Sequence, residues 1–405
     1  MKIYRVIILF IFLNGTLKSC AQEIVKSSET FNSISDPVIA VYYLPKDNET
    51  VRLISIEKDI PTSTKYIENT YFAQYLLFSD GHKFSFQKDE VLKDFKNSFL
   101  ITRQKDKTNS LNTILKYYYI EKHKLIYNAQ LSVRIESQIY LFNNGNVLIS
   151  DEYEFNGKTF QFYNPNFKLI SKNDPLGEDG FKSSAVYEYD NKLIVMIQSH
   201  DSDSLTGNLV LEVYDLNSGN KIHQEKCSTK IEDLTSCIGN SEYVIVFADK
   251  KLIKINESGK VMWTKKIDWP NIEMIIIKQG SEVVAVVSDK IQSLSSKTGN
   301  IRWSKSFNEI NSIKNLNFSS RIGFAALGLY TVFNDSRIGV LLALYDRDKV
   351  NSLDKYSTSF LIYDLDGINK YEFINTKDNN TSKMNVIENK ILIYNENNIN
   401  IYEKK

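Results

Sequence analysis

Residues 211–224 read LEVYDLNSGNKIHQ, residues 251–264 read KLIKINESGKVMWT, and residues 291–304 read IQSLSSKTGNIRWS. Each begins as a strand pattern, passes through a short polar turn ending in glycine, and enters a second strand. The turn glycines, Gly219, Gly259 and Gly299, fall forty residues apart. Four residues after the second and third stand Trp263 and Trp303, and His223 holds that place after the first. Another marker keeps nearly the same beat, because Ile231, Ile272 and Ile313, forty-one residues apart, each open a strand.

A fixed period of about 40 residues built only of strands predicts an all-β fold, a single β-propeller of four-stranded antiparallel blades. Working outward, the same cycle is found upstream. Asp80-Gly81 separates two apolar runs, a hairpin signal because type I′ turns need positive φ at both central residues. Asn144-Gly145 and Asn156-Gly157 punctuate further strands in the same way. The tally is eight blades, with seven as the alternative because residues 51–97 are weakly marked. At the far end, residues 385–388, 390–394 and 399–402 supply only three strands. The orphan strand Val38–Leu44 is expected to join them and close the ring, since an open seam would leave a row of unpaired N–H and C=O groups. No helix-period apolar stripe of useful length is present.

After Ile313 the beat stretches. Two long apolar segments, residues 323–333 and 338–345, read as an extra hairpin within one blade, an insertion spanning about 323–356. Its apolar residues, among them Phe324, Leu329, Tyr330, Phe333 and Leu342, are candidates for covering a neighbouring blade or meeting a partner. The expected organisation is therefore a targeting segment over 1–22, a polar tether over 23–36, and a propeller over 37–405.

The composition agrees. The chain has 405 residues, and its 24 Tyr and 22 Phe against 16 Gly and 6 Pro lean toward strands. Fifty basic and 49 acidic residues nearly cancel. With no basic run of five to eight residues, a nucleic-acid partner is not expected.

Met1, Lys2 and Arg5 mark a positive start, followed by an apolar run over residues 6–13, short of the roughly 18–20 residues that span a bilayer. Residues 17–22, LKSCAQ, resemble a bacterial lipobox, with Lys18 where a small uncharged residue is usual. The resemblance implies lipidation at Cys20, and hence a lipid anchor as the only membrane contact, in the bacterial cell envelope (periplasm or outer membrane). Cleavage after Ala21, giving a secreted protein, is the other processing that fits. Cys227 and Cys237 remain. They belong to the outer and inner edges of neighbouring blades, about three strand spacings apart, too far for the roughly 7 Å limit between bonded Cα atoms, so free thiols are expected.

The turns at 214–219 and 294–303 are similar to the repeat of the PQQ-like, or quinoprotein-type, β-propellers: a strand ending in Leu-Asp, a Thr-Gly turn and a Trp four residues on. Ser295 and His223 depart from that pattern. The resemblance covers residues 210–307 well, and it implies that the glycine serves a tight turn while the tryptophan packs between adjacent blades. The family includes both dehydrogenases and non-catalytic scaffolds, so it does not by itself imply an activity.

No catalytic residue is identified. The enzymes of that family have a catalytic Asp, a calcium site and often adjacent cysteines, and no two cysteines are adjacent here. His82, His123, His200 and His223 form no ligand set. No metal or cofactor is expected. Asp201, Asp203 and Glu212 echo the first, third and twelfth positions of a calcium loop, but Leu205 and Thr206 stand where a ligand and a glycine are needed. Tyr42, Tyr43 and Tyr117 to Tyr119 read as blade packing rather than sugar platforms. The expectation is an exported binding or scaffold module with a protein partner, or less readily a glycan. The alternative is an envelope hydrolase or lyase, glycan-directed in one form, whose active site in the propeller channel escapes motif search.

Overall fold

A computed structural model describes residues 24–30, 38–44, 49–59, 70–153, 157–173, 181–199, 206–240, 242–267, 274–279, 282–287, 290–307, 322–332, 337–346, 357–364, 367, 369–375, 383–387, 390–394 and 398–404. Among these residues the strands form eight four-stranded antiparallel sheets. The first contains Val38–Leu44, Glu49–Asp59, Thr70–Phe78 and Lys83–Ser85, and the second Glu90–Lys96, Phe99–Lys105, Asn112–Glu121 and Lys124–Arg134. The third runs Gln138–Leu141, Val147–Tyr153, Gly157–Tyr163, Leu169–Asn173, and the fourth Phe181–Tyr189, Lys192–Ser199, Gly207–Asp215, Lys221–Ile231. The fifth has Leu234–Gly239, Tyr243–Ala248, Lys251–Asn256 and Val261–Lys266; the sixth has Met274–Gln279, Glu282–Val287, Lys290–Ser295 and Ile301–Ser306. The seventh is built of Ile322–Val332, Arg337–Asp346, Ser357–Asp364 and Asn369–Asn375. The eighth takes Lys383–Ile387, Lys390–Tyr394 and Asn398–Lys404, with Ile24–Thr30 on its outer side.

The core lies between successive sheets. One apolar layer joins the fourth sheet to the fifth through Met196, Leu211, Cys227, Cys237 and Val246, and the next joins the fifth to the sixth through Ile245, Leu252, Val283 and Leu294. Similar layers join the first sheet to the second, the second to the third and the third to the fourth. A sheet covered on both faces buries both sides of its middle strands. Lys192–Ser199 is buried at every residue after the first, and so is Tyr243–Ala248. This is why these strands read as continuous apolar runs, whereas outer strands such as Val261–Lys266 alternate. First strands meet in series: Phe181–Tyr189 touches Leu234–Gly239, which touches Met274–Gln279, then Ile322–Val332, then Lys383–Ile387, and the last also touches Val38–Leu44.

Among the described residues, two hairpin turns reach positive φ at both central positions without a glycine. Lys122 and His123, and likewise Asp249 and Lys250, have positive φ at both positions, so type I′ hairpins form here from residues that the sequence does not flag.

The strand completing the last sheet is a correction. Val38–Leu44 pairs with Glu49–Asp59 as the first strand of its own sheet, and Ile24–Thr30, expected to be tether, pairs with Asn398–Lys404. An outer strand is held by its backbone ladder and needs few apolar side chains, so IVKSSET suffices there, whereas the first strand of the first sheet reads VIAVYYL. The segments expected as an added hairpin at 323–356 are the first two strands of the seventh sheet, paired from Ile322↔Asp346 to Val332↔Arg337. Arg337–Asp346 pairs onward to Ser357–Asp364, and Ile338, Val340, Leu342, Leu361 and Tyr363 are buried as in any middle strands. The apolarity of Arg337–Asp346 follows from that middle position.

Candidate functional site

The repeat motif has a packing role. Trp263 Nε1 donates to Ser296 O at 3.0 Å in the turn of the next sheet, and His223 Nε2 lies 2.8 Å from Glu257 O in the same relation. Histidine therefore replaces tryptophan while keeping a ring nitrogen on the neighbouring turn carbonyl. A Cβ at Gly299 would stand 2.9 Å from the Trp263 ring, and one at Gly367 2.5 Å from the Trp303 ring. Earlier in the chain, Ser171 Oγ and Asn173 Nδ2 donate to Gly219 O at 2.5 and 2.8 Å, and Ser228 N donates to Gly259 O at 2.9 Å. Each glycine turn is thus seated on the outer strand of the sheet before it. The inter-blade contact implied by the family resemblance is present at both tryptophans.

The residues singled out in the sequence are not brought together. Phe324, Leu329 and Tyr330 lie on Ile322–Val332, and Leu342 is buried on Arg337–Asp346. Cys20, His200, Phe333, Asp201 and Asp203 lie outside the described residues. Glu212 is buried and accepts from Tyr214 Oη and from Lys221 Nζ at 2.7 Å. Cys227 and Cys237 are free and buried, and burial pushes both thiols up to about 12. His123 Nδ1 lies 2.5 Å from Asp80 Oδ2, and its ring stacks on Phe78 at 5.8 Å between centroids. The His123 hydrogen bond, with the backbone N–H of His82, holds the exposed Asp80 carboxyl below its ordinary value. This pair ties the last turn of the first sheet to that of the second. No group of three or more His, Cys, Asp or Glu among the described residues could hold a metal.

Two features do concentrate chemistry. The first is the rim. The outer strands of the second to sixth sheets contribute two, one, three, two and two lysines or arginines, against a single carboxylate, Glu225. The chain as a whole has 50 basic and 49 acidic residues, so these strands are enriched in cations, of which Lys221 is paired with Glu212 and Arg302 with Glu282 within the same sheets. Each of the five strands also exposes one large apolar side chain within its first four residues: Tyr127, Leu169, Ile222, Met262 and Ile301, all between 44% and 54% exposed. Lysine on an edge strand blocks unwanted strand pairing, which accounts for part of the charge. It does not account for a repeated apolar side chain.

The second feature is a cavity of about 550 Å³ between the first and second sheets, lined by Phe84, Phe86, Gln87, Glu90, Gln104, Lys116, Tyr118, Tyr127 and Gln130 among others. It is lined from both outer strands, Lys83–Ser85 of the first sheet with three residues and Lys124–Arg134 of the second with eleven. Its floor is an ion pair, with Lys116 Nζ donating to Glu90 Oε2 at 2.9 Å and to Gln87 Oε1 at 2.8 Å. Glu90 Oε1 accepts from Thr102 Oγ1 at 2.5 Å and Tyr118 Oη at 2.7 Å. Burial raises the Glu90 pKa, but the hydrogen bonds from Thr102, Lys116 and Tyr118, with the Lys116 charge, outweigh it and hold the carboxyl below its usual range. Glu90 is therefore a fixed anion, not a proton donor at neutral pH. The sequence carried a signal for this site: Lys116 interrupts an apolar strand, and a cation there needs a buried partner.

No family model matches the chain, and no curated protein matches it. Solved structures do. The chain is similar to the Dos1 propeller, at 12% identity over 93% of this chain and 94% of that one, with a TM-score of 0.51. It is also similar to BamB from Moraxella catarrhalis, at 10% identity over 94% of this chain and all of that one, with a TM-score of 0.49. At such identities the Dos1 likeness shows the fold, a β-propeller, and nothing about activity.

Proposed function

We propose that this propeller is an exported, lipid-anchored scaffold that binds an acidic protein partner along its rim. The observation that carries the reading is the line of exposed apolar side chains set among lysines and arginines on five successive outer strands. Apolar anchors supply burial while the cations select and steer an acidic surface. In this reading the eight sheets form a closed ring, supported by the pairing of Ile24–Thr30 with Asn398–Lys404 and the contact between Val38–Leu44 and Lys383–Ile387. Export and anchoring rest on the positive start, the apolar run and Cys20.

The test is a photo-reactive amino acid placed at Ile222 or Met262 in cells, with exposed Lys107 as the control position. A discrete cross-linked protein at the rim positions, absent at Lys107 and lost with Lys226→Glu plus Lys266→Glu, is expected. A rim that yields no discrete product ends the scaffold reading. In the same cells Cys20→Ser should move the protein out of the membrane fraction, and unchanged fractionation would remove the anchor.

A further inference from the structure

The cavity between the first and second sheets has a chemistry of its own. Its charges cancel internally, because Lys116 and Glu90 are paired and the carboxylate oxygens already accept four donors: Thr102, Tyr118, Lys116 and the Gln87 backbone N–H at 3.2 Å. Such a floor attracts neither an anion nor a cation. The walls are aromatic. Phe84 meets Tyr118 edge-on at 6.1 Å between centroids, and Tyr118 meets Tyr127 edge-on at 5.7 Å. Those T-shaped contacts set the Tyr127 ring at a steep angle to its neighbour, and the ring itself is 52% exposed at the cavity. The lining also includes amides with unused capacity. The Gln130 side chain and the amide nitrogen of Gln87 have no hydrogen-bond partner among the described residues. An amide can donate and accept at once, which suits adjacent hydroxyl groups.

We propose that this cavity binds a neutral saccharide unit, one apolar ring face stacked on Tyr127 and its hydroxyl groups hydrogen-bonded by Gln87 and Gln130. A pyranose combines an apolar face with a neutral, hydroxyl-rich edge, and it matches a cavity of no net charge lined by aromatic rings and amides. The volume lies within the range of small-ligand sites, which is about 300–1,000 Å³. Lys116 then acts as a positioning residue, holding Gln87 through its Oε1. This reading shares one residue with the rim, Tyr127, and the rim's cations take no part in it.

The test is saturation-transfer difference NMR on the full chain with glucose, galactose, mannose, N-acetylglucosamine and their β-linked disaccharides, and with a proline-rich peptide as the competing probe. Saturation of ring protons in at least one sugar is expected. Tyr127→Ala should weaken that binding at least about tenfold, and Gln130→Ala by roughly three- to tenfold. Gln130 is exposed, so Gln130→Ala should leave the melting temperature unchanged, whereas Tyr127→Ala also loses the edge contact with Tyr118 and should lower it only slightly. Ile222→Ala should leave sugar binding intact. Saturation of no sugar, saturation of the peptide alone, or sugar binding that survives Tyr127→Ala would each overturn the proposal.

Discussion

Glu90 shows how one residue couples stability to pH. Its carboxylate accepts hydrogen bonds from Thr102, Tyr118 and Lys116 inside the molecule, and its pKa is held below the ordinary 4.5. A depressed carboxylate contributes stability that is fully present above its unfolded pKa and is lost as pH falls through the folded value. Glu90→Gln would leave Lys116 buried without its counter-charge, a change that costs about 3–5 kcal/mol at neutral pH. Urea midpoints measured from pH 7 down to pH 3 should therefore show a wide gap between wild type and variant that narrows below pH 4.5. A constant gap would mean that the pair does not titrate with folding. Lys116 is also where reading from sequence alone fell short. A lysine within LNTILKYYYI announces that some buried partner exists, but its nearest carboxylate in the fold stands 26 residues upstream. Only the folding of the second sheet brings them together.

Among the elements, the glycine turns are the clearest case of a sequence signal with a mechanical cause. Gly299 has φ +70, and an added Cβ would lie 2.9 Å from the Trp263 ring, whereas Gly81 has φ +86 and nothing within 4 Å. Gly81→Ala should cost about 1 kcal/mol, the backbone strain alone. Gly299→Ala should cost about 2–3 kcal/mol, because the indole must also shift off its hydrogen bond to Ser296 O. Denaturant melts of the two variants check this, and equal losses would show that the tryptophan is not seated on the turn. The fourth to sixth sheets were legible because a doubly covered strand reads as an unbroken apolar run, and because glycine marks the turn that must approach its neighbour. The first two strands of the seventh sheet look like surplus in the sequence because the beat has stretched by then. Periodicity locates a strand relative to its repeat, and where the repeat lengthens an ordinary strand and an added one look alike.

For the whole molecule, the pairing with the longest reach along the chain is the one to test. Ile24–Thr30 pairs over seven residues with Asn398–Lys404, from Ile24↔Lys404 to Thr30↔Asn398. Deleting residues 24–30 would strip the outer ladder from the eighth sheet and expose Asn398–Lys404 as an edge. The expected loss is about 3 kcal/mol or more from the backbone hydrogen bonds. A truncated protein that melts like the full chain would refute a stabilising role for this strand. The general architecture, sheets in series on a forty-residue beat, was readable from the glycines and tryptophans. The identity of the joining strand was not, because backbone pairing leaves little trace in side chains. IVKSSET is as polar as the tether it resembles.

That same pairing fixes how the proposed anchored form would sit on a membrane. Only four peptide steps separate Cys20 from Ile24, the first paired residue. Fully extended, they reach no more than about 14 Å. A diacylated Cys20 would thus be a short leash rather than a long stalk, holding the eighth sheet beside the lipid headgroups. The body could tilt and swivel about that one corner but could not drift away from it. The direction in which its remaining surface looks would be set by the first seven residues that pair.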